Sequence, residues 1–189
     1  MAESQRRTQL IETALRLFYR NGFHATGIDK LLAEAGIAKM TLYKHFGSKD
    51  ALILACLAER DRLFRAWFEA EIDRRGKTGR DRLLAVFDIL EAWFKSRDFH
   101  GCLFINAAAE HAPAEDPVHQ AASAHKREVR EILERVAREA GASDPSALAG
   151  QIHMLMEGAT VLAQVAGDTR AAADGRRAAG ALIDAALAH

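Results

Sequence analysis

The chain has 189 residues, 49% of them hydrophobic, enough to bury a core in one extended domain or in a small domain joined to a larger one. Its 26 basic and 26 acidic residues cancel, which excludes a protein that coats nucleic acid or membrane indiscriminately. Cys56 and Cys102 have no zinc or disulfide spacing, no run reaches the ~18 apolar residues of a bilayer span, and the charged start MAESQRRTQLIE lacks a signal-peptide core, so a soluble cytoplasmic protein is expected.

The charge is not evenly spread. Residues 1–50 hold eight Lys/Arg against five acids, a net of +3, on a chain whose total is zero. A modestly basic head on an acidic body suits a protein that touches phosphates with one end only. Ser4 to Asn21 is predicted as the first helix, with Leu10, Ile11, Ala14, Leu15, Leu17 and Phe18 on one side and Gly22 ending it. Arg6 and Arg7 precede the stripe, either solvated or within reach of a phosphate.

From Thr26 to Lys49 the chain carries two short amphipathic segments separated by Ala35-Gly36-Ile37. Ile28, Leu31, Leu32 and Ala35 recur at helical spacing in the first, and Thr26 is expected to be its N-cap. Ile37, Met40, Thr41 and Leu42 lead the second into Tyr43 and Phe46. A helix that ends at Gly and restarts at once turns a sharp corner, because Gly takes the left-handed conformation at low cost. Helix, tight turn, helix is the geometry that delivers a recognition helix to a major groove. Lys39, Thr41, Tyr43, Lys44 and His45 crowd hydrogen-bond donors into that second helix, and Lys49 follows.

The run Ala35-Gly36-Ile37-Ala38-Lys39-Met40-Thr41-Leu42-Tyr43-Lys44-His45-Phe46, with Ser48-Lys49-Asp50-Ala51-Leu52 after it, resembles the signature of the tetracycline-repressor (TetR) family of transcriptional regulators. The resemblance runs ungapped from Arg7 to Leu57. It implies an all-α chain with a three-helix DNA-binding head over residues 1–48. Residues 49–189 then form an effector-binding and dimerisation domain. It further implies a homodimer, paired through the last two helices, on a palindromic double-stranded operator, under the control of an unidentified small-molecule effector. Phe23 is expected on the head's core by the same analogy. Ala38 to Lys44 would enter the groove, with Lys39, Met40 and Lys44 toward base edges. Thr26, Thr41, Tyr43, His45 and Lys49 would hold phosphates. Two departures stand out: Gly27 replaces a frequent Ser or Thr, and Ala38 and Met40 replace a common Ser and a smaller residue, so the operator sequence does not carry over from relatives.

Ser48 is predicted to cap a fourth helix from Lys49 to Arg74, with Leu52, Ile53, Cys56, Leu57, Leu63, Phe64, Trp67, Phe68 and Ile72 on its apolar side. Further helices are predicted over Arg80 to Lys95, Cys102 to Glu110, His119 to Ala140, Ser146 to Ala166 and Arg170 to His189, with Pro113 and Pro117 in a loop. The segment Gly101 to Glu110 resembles a stretch found in one subset of the family.

Candidate effector contacts are Phe64, Trp67, Phe87, Cys102, Phe104, Asn106, His125, Met154 and Glu157, since apolar rings with a few polar groups are what a small-molecule pocket needs. His153 and Glu157, four apart, read foremost as a helix-surface pair, and Cys102 as a buried thiol with a redox-sensing alternative. No metal or cofactor is expected. Catalysis has no visible support, because G-x-S-x-G, P-loop and paired-carboxylate arrangements are lacking. The competing reading is a helical ligand-binding or enzymatic protein that retains a vestigial turn motif.

Overall fold

A computed structural model describes residues 2–188, and among them the chain is all-α: α1 (Ala2–Asn21), α2 (Ile28–Ala35), α3 (Lys39–Phe46), α4 (Lys49–Arg75), α5 (Gly79–Phe94), α6 (Leu103–Glu110), α7 (Pro117–Glu139), α8 (Pro145–Ala166) and α9 (Ala171–Leu187). Met1 of the expected head and His189, the expected end of the last helix, lie outside the described residues. Helix boundaries follow local chemistry. The Thr78 hydroxyl and the Asp81 carboxylate form a reciprocal capping box at the start of α5, which the sequence reading passed over. Asp144 caps α8 by accepting from Ala147 N at 2.9 Å, with Pro145 in the first turn. Pro117 opens α7 rather than sitting in the loop before it, since a first-turn Pro forfeits no helical hydrogen bond.

The chain divides into two compact units: residues 1–64 with 102–125, and residues 65–101 with 126–189. The cut falls inside α4, beyond the expected boundary between residues 48 and 49, and places the first half of α4 and all of α6 in the same unit as α1, α2 and α3. In the first unit Leu10, Leu17, Phe18, Phe23, Leu31, Leu42, Leu52, Ile53 and Leu57 form the core. Phe18 and Phe23 stack at 5.1 Å between ring centroids. Cys56 lies in the same core, and burial pushes its thiol pKa up to about 12, so it stays a neutral apolar filler.

In the second unit α5 packs on α8 and α9, which also pack on each other. Gly175 of α9 permits that approach: a Cβ there would come within 2.8 Å of the Phe87 ring. Arg82 joins Asp73 at 2.7 Å and Glu139 at 2.6 Å, and Arg80 joins Asp184, tying the ends of four helices together. The long fourth helix divides its apolar residues between the two units. Leu52, Ile53, Cys56 and Leu57 serve one core and Phe68 and Ile72 the other. Leu63 and Trp67, expected inside, are 47% and 46% exposed.

Candidate nucleic-acid interface

The head is built on α1. Leu10, Ala14, Leu17 and Phe18 are buried on its inner face, and α2 and α3 pack against it and against each other. The corner between α2 and α3 is a left-handed glycine, Gly36, at φ 63° and ψ 33°, whose N–H bonds back to the Ala33 and Leu32 carbonyls. Gln9 on α1 donates Nε2–H to the Ala35 carbonyl at 2.9 Å, and Arg16 pairs with Glu34 at 2.8 Å, so both side chains hold α2 to α1. The sequence reading missed them because neither residue lies in the turn motif.

On α3 Leu42 roots the helix, and the side chains of one outer face meet solvent. Leu42 is fully buried, while Lys39, Tyr43 and Lys44 are exposed and Met40 is 81% exposed. Thr41 and His45 are half-buried at the edges of this face. Ala38 caps α3 in extended conformation without a side-chain hydrogen bond, as Gly27 does for α2. Both helix starts therefore lack a side-chain acceptor for their first N–H groups, an arrangement that suits an incoming phosphate oxygen. Arg7, one of the two early arginines, lies with its guanidinium 5.3 Å from the Phe46 ring centroid.

Two expected phosphate ligands are otherwise employed. Thr26 is not the N-cap of α2; Gly27 is. The Thr26 side chain is buried, and its hydroxyl donates to the Gly22 carbonyl at 2.7 Å, closing the loop that leaves α1. Lys49 is half-buried and gives its ammonium to the Phe23 carbonyl at 2.6 Å. In sequence a hydroxyl or ammonium aimed at a backbone carbonyl looks the same as one aimed at a phosphate.

That loop has a further clamp. Glu110, the last residue of α6, accepts from Phe23 N at 2.9 Å and from His24 N at 2.6 Å. The Phe23 backbone is thus held at its N–H by α6 and at its carbonyl by α4. Beside it the His24 and His111 rings stack at 5.2 Å. His111 lies 3.3 Å from Asp116, whose carboxyl is held below its ordinary range by the Val118 N–H first and by His111 second.

The expected effector residues do not gather at one place. Phe64, Phe104 and His125 do meet: the imidazole stacks on Phe104 at 3.6 Å, with Phe64 edge-on at 5.3 Å. His125 Nδ1 is 2.7 Å from Asp61 Oδ1, a partner the sequence reading did not name. Cys102 is the buried N-cap residue of α6, and Asn106, half-buried, lies on the same helix. Phe87 is buried under Gly175. Two of the nine face outward instead: Trp67, and Met154 at 69% exposure. Glu157 is taken up by Lys126 at 2.7 Å and lies 3.5 Å from His153. Burial pushes the Glu157 carboxyl up, yet His153 and Lys126 outweigh it and leave it below the ordinary carboxylate range. No group of three or more His, Cys, Asp or Glu able to hold a metal occurs among the described residues.

Two family models match the chain: "Bacterial regulatory proteins, tetR family" over residues 10–56, and "Tetracyclin repressor-like, C-terminal domain" over residues 79–179. The crystal structure of SCO4454, a TetR-family transcriptional regulator from Streptomyces coelicolor, superimposes with a TM-score of 0.89 at 31% identity, covering 98% of this chain and 97% of that one. Some curated relatives match over most of the chain, as the regulator LmrA of Bacillus subtilis does at 25% identity over 170 residues, and others over a short stretch. The transcriptional activator FasR of Mycolicibacterium smegmatis is 42% identical over 57 residues, and the regulator YerO of Bacillus subtilis 42% over 52. These stretches are 30% and 28% of this chain but only 26% of FasR and 18% of YerO. No helix among the described residues is long and apolar enough to cross a membrane. With a buried-leucine recognition helix, a glycine corner and family models that cover both its head and its body, the chain belongs to the TetR family of helix-turn-helix transcriptional regulators.

Proposed function

We propose that the chain is a ligand-responsive repressor that binds a palindromic operator as a homodimer. The observation that carries this reading is the outer face of α3, where Lys39, Met40, Tyr43 and Lys44 are exposed around a fully buried Leu42. Lys39 and Lys44 suit guanine acceptors and Met40 suits thymine methyl groups; Thr41, Tyr43 and His45 suit phosphates. Thr26 and Lys49 are assigned to holding the head's loop instead. The exposed apolar residues of α8 support the homodimer: Met154, Val161, Leu162 and Val165 are 69%, 41%, 52% and 80% exposed along one helix, an expanse that pairing with a second copy would cover.

Effector control rests on the family likeness. A small molecule bound in the body selects the conformation whose heads fail to reach successive grooves, to the extent of its differential affinity for the two states. The test is fluorescence anisotropy with duplexes from the chain's own upstream region, at a fixed and stated salt concentration. Tight binding to an inverted repeat, lost when one half-site is scrambled, is the expected result. Equal affinity for the repeat and a scrambled duplex would sink the reading and favour a helical ligand-binding protein that keeps the motif unused.

A further inference from the structure

Leu15, Arg16 and Tyr19 of α1, Arg60 and Leu63 of α4, and Leu103 of α6 line a half-open cavity of about 200 Å³, wholly within the first unit. None of the six belongs to the outer face of α3 or to the residues expected to meet an effector. Leucines from three helices wall the cavity. Leu103 is buried, whereas Leu63 stays 47% exposed, apolar surface that a ligand would remove from water.

The charged residues that line this cavity are both basic. Arg16 and Arg60 contribute two guanidiniums. Arg16 is paired with Glu34 at 2.8 Å. Arg60 makes no ion pair among the described residues, and the acids on either side of it have other partners, Arg62 for Glu59 at 2.7 Å and His125 for Asp61 at 2.7 Å. A half-buried guanidinium beside apolar walls is matched by a group that brings one carboxylate and an apolar tail, since the planar fork accepts a carboxylate through two parallel hydrogen bonds.

We propose that this cavity binds a small amphipathic monocarboxylate, with its carboxylate on Arg60 and its apolar portion against Leu15, Leu63 and Leu103. The six lining residues are none of the nine expected to meet an effector, and the test needs no operator.

Hexanoate is the probe, and hexan-1-ol its uncharged counterpart. The full-length protein, carbon-13 labelled at leucine methyls, is titrated with each and followed by methyl spectra. Hexanoate is expected to shift the Leu63 and Leu103 methyls saturably, with hexan-1-ol about tenfold weaker or more, the factor that one charge-assisted pair supplies. Arg60→Gln is expected to bring hexanoate down to the level of hexan-1-ol, and Arg60→Lys to retain part of the difference. The proposal is overturned if hexanoate leaves those methyls unmoved or saturates only methyls outside the first unit. It is equally overturned if the alcohol matches the acid, or if Arg60→Gln binds hexanoate like the parent. Should Arg60→Gln fold poorly, the acid-against-alcohol comparison on the parent protein decides alone.

Discussion

Tyr43 and Lys39 sit on the same exposed surface, yet the proposed contacts ask different things of them. A phenolic hydroxyl on a phosphate fixes register without reading sequence, whereas a lysine at a base edge discriminates. Tyr43→Phe should therefore weaken every operator variant by a similar factor, while Lys39→Ala should change the ranking of variants at one base position by about 1–3 kcal/mol. A binding-site selection run on both proteins checks this, and an unaltered base preference in Lys39→Ala would remove Lys39 from the readout. Glu157 offers a residue-scale test of stability. Its carboxyl titrates lower in the folded chain than its unfolded value of about 4.3. Its contribution is thus fully present above the unfolded value and lost as pH falls through the folded one. Glu157→Gln should flatten the stability profile within that acid window and leave its slope at higher pH alone, as urea titrations at stepped pH would reveal. Single residues were also where sequence reading succeeded and failed most clearly. The outward side chains of α3 were legible because Leu42 and Phe46 fix the phase of a short helix. Thr26 and Lys49 were not, because their acceptors, the Gly22 and Phe23 carbonyls, belong to a loop whose path no periodicity records.

At the scale of elements, the corner between α2 and α3 and the loop between α1 and α2 set the aim of the recognition helix. Gly36 has open space where a side chain would begin, so Gly36→Ala isolates the backbone term. Holding Ala in the left-handed region should lower stability by about 1–2 kcal/mol, read from chemical denaturation. Glu110→Gln bears on the other support. The amide keeps an acceptor for one N–H but gives up the charge-assisted pair at Phe23 and His24. Faster amide exchange at Phe23 and His24, with little change in exchange on α5, α8 and α9, is the expected outcome; unchanged exchange at the loop would show the clamp to be idle. Helices were legible from their stripes to within a few residues. The Glu110 clamp was not, since its partners lie 87 and 86 positions away in sequence and nothing in a glutamate at a helix end announces them.

For the molecule as a whole, repetition of the head is what would convert a short readout into operator-length specificity. In the proposed homodimer, the apolar face on α8 is the surface that pairs. Leu162→Asp places a charge among Met154, Val161 and Val165 and leaves the buried side of the helix, Ile152, Met156, Ala159 and Ala163, untouched. Sedimentation should then report a lone subunit with unchanged helical content, and affinity for an inverted repeat should fall to that of one half-site. A dimer that survives the substitution would move the interface elsewhere. Membership of the family was readable from the signature that the first 57 residues contain. The compact units were not, because α6 is far from the head in sequence and joins it only through folding.

Met40 stands as the most water-washed large apolar side chain of α3, at 81% exposure. Its thioether is accordingly open to peroxide, and sulfoxidation would set a polar oxygen where the proposed contact puts a thymine methyl. Aged or oxidised preparations should lose discrimination at thymine positions before they lose general affinity for duplex, and methionine sulfoxide reductase should give it back. Storage history would then masquerade as promiscuity, a matter to settle by mass spectrometry of the α3 peptide before any operator consensus is drawn.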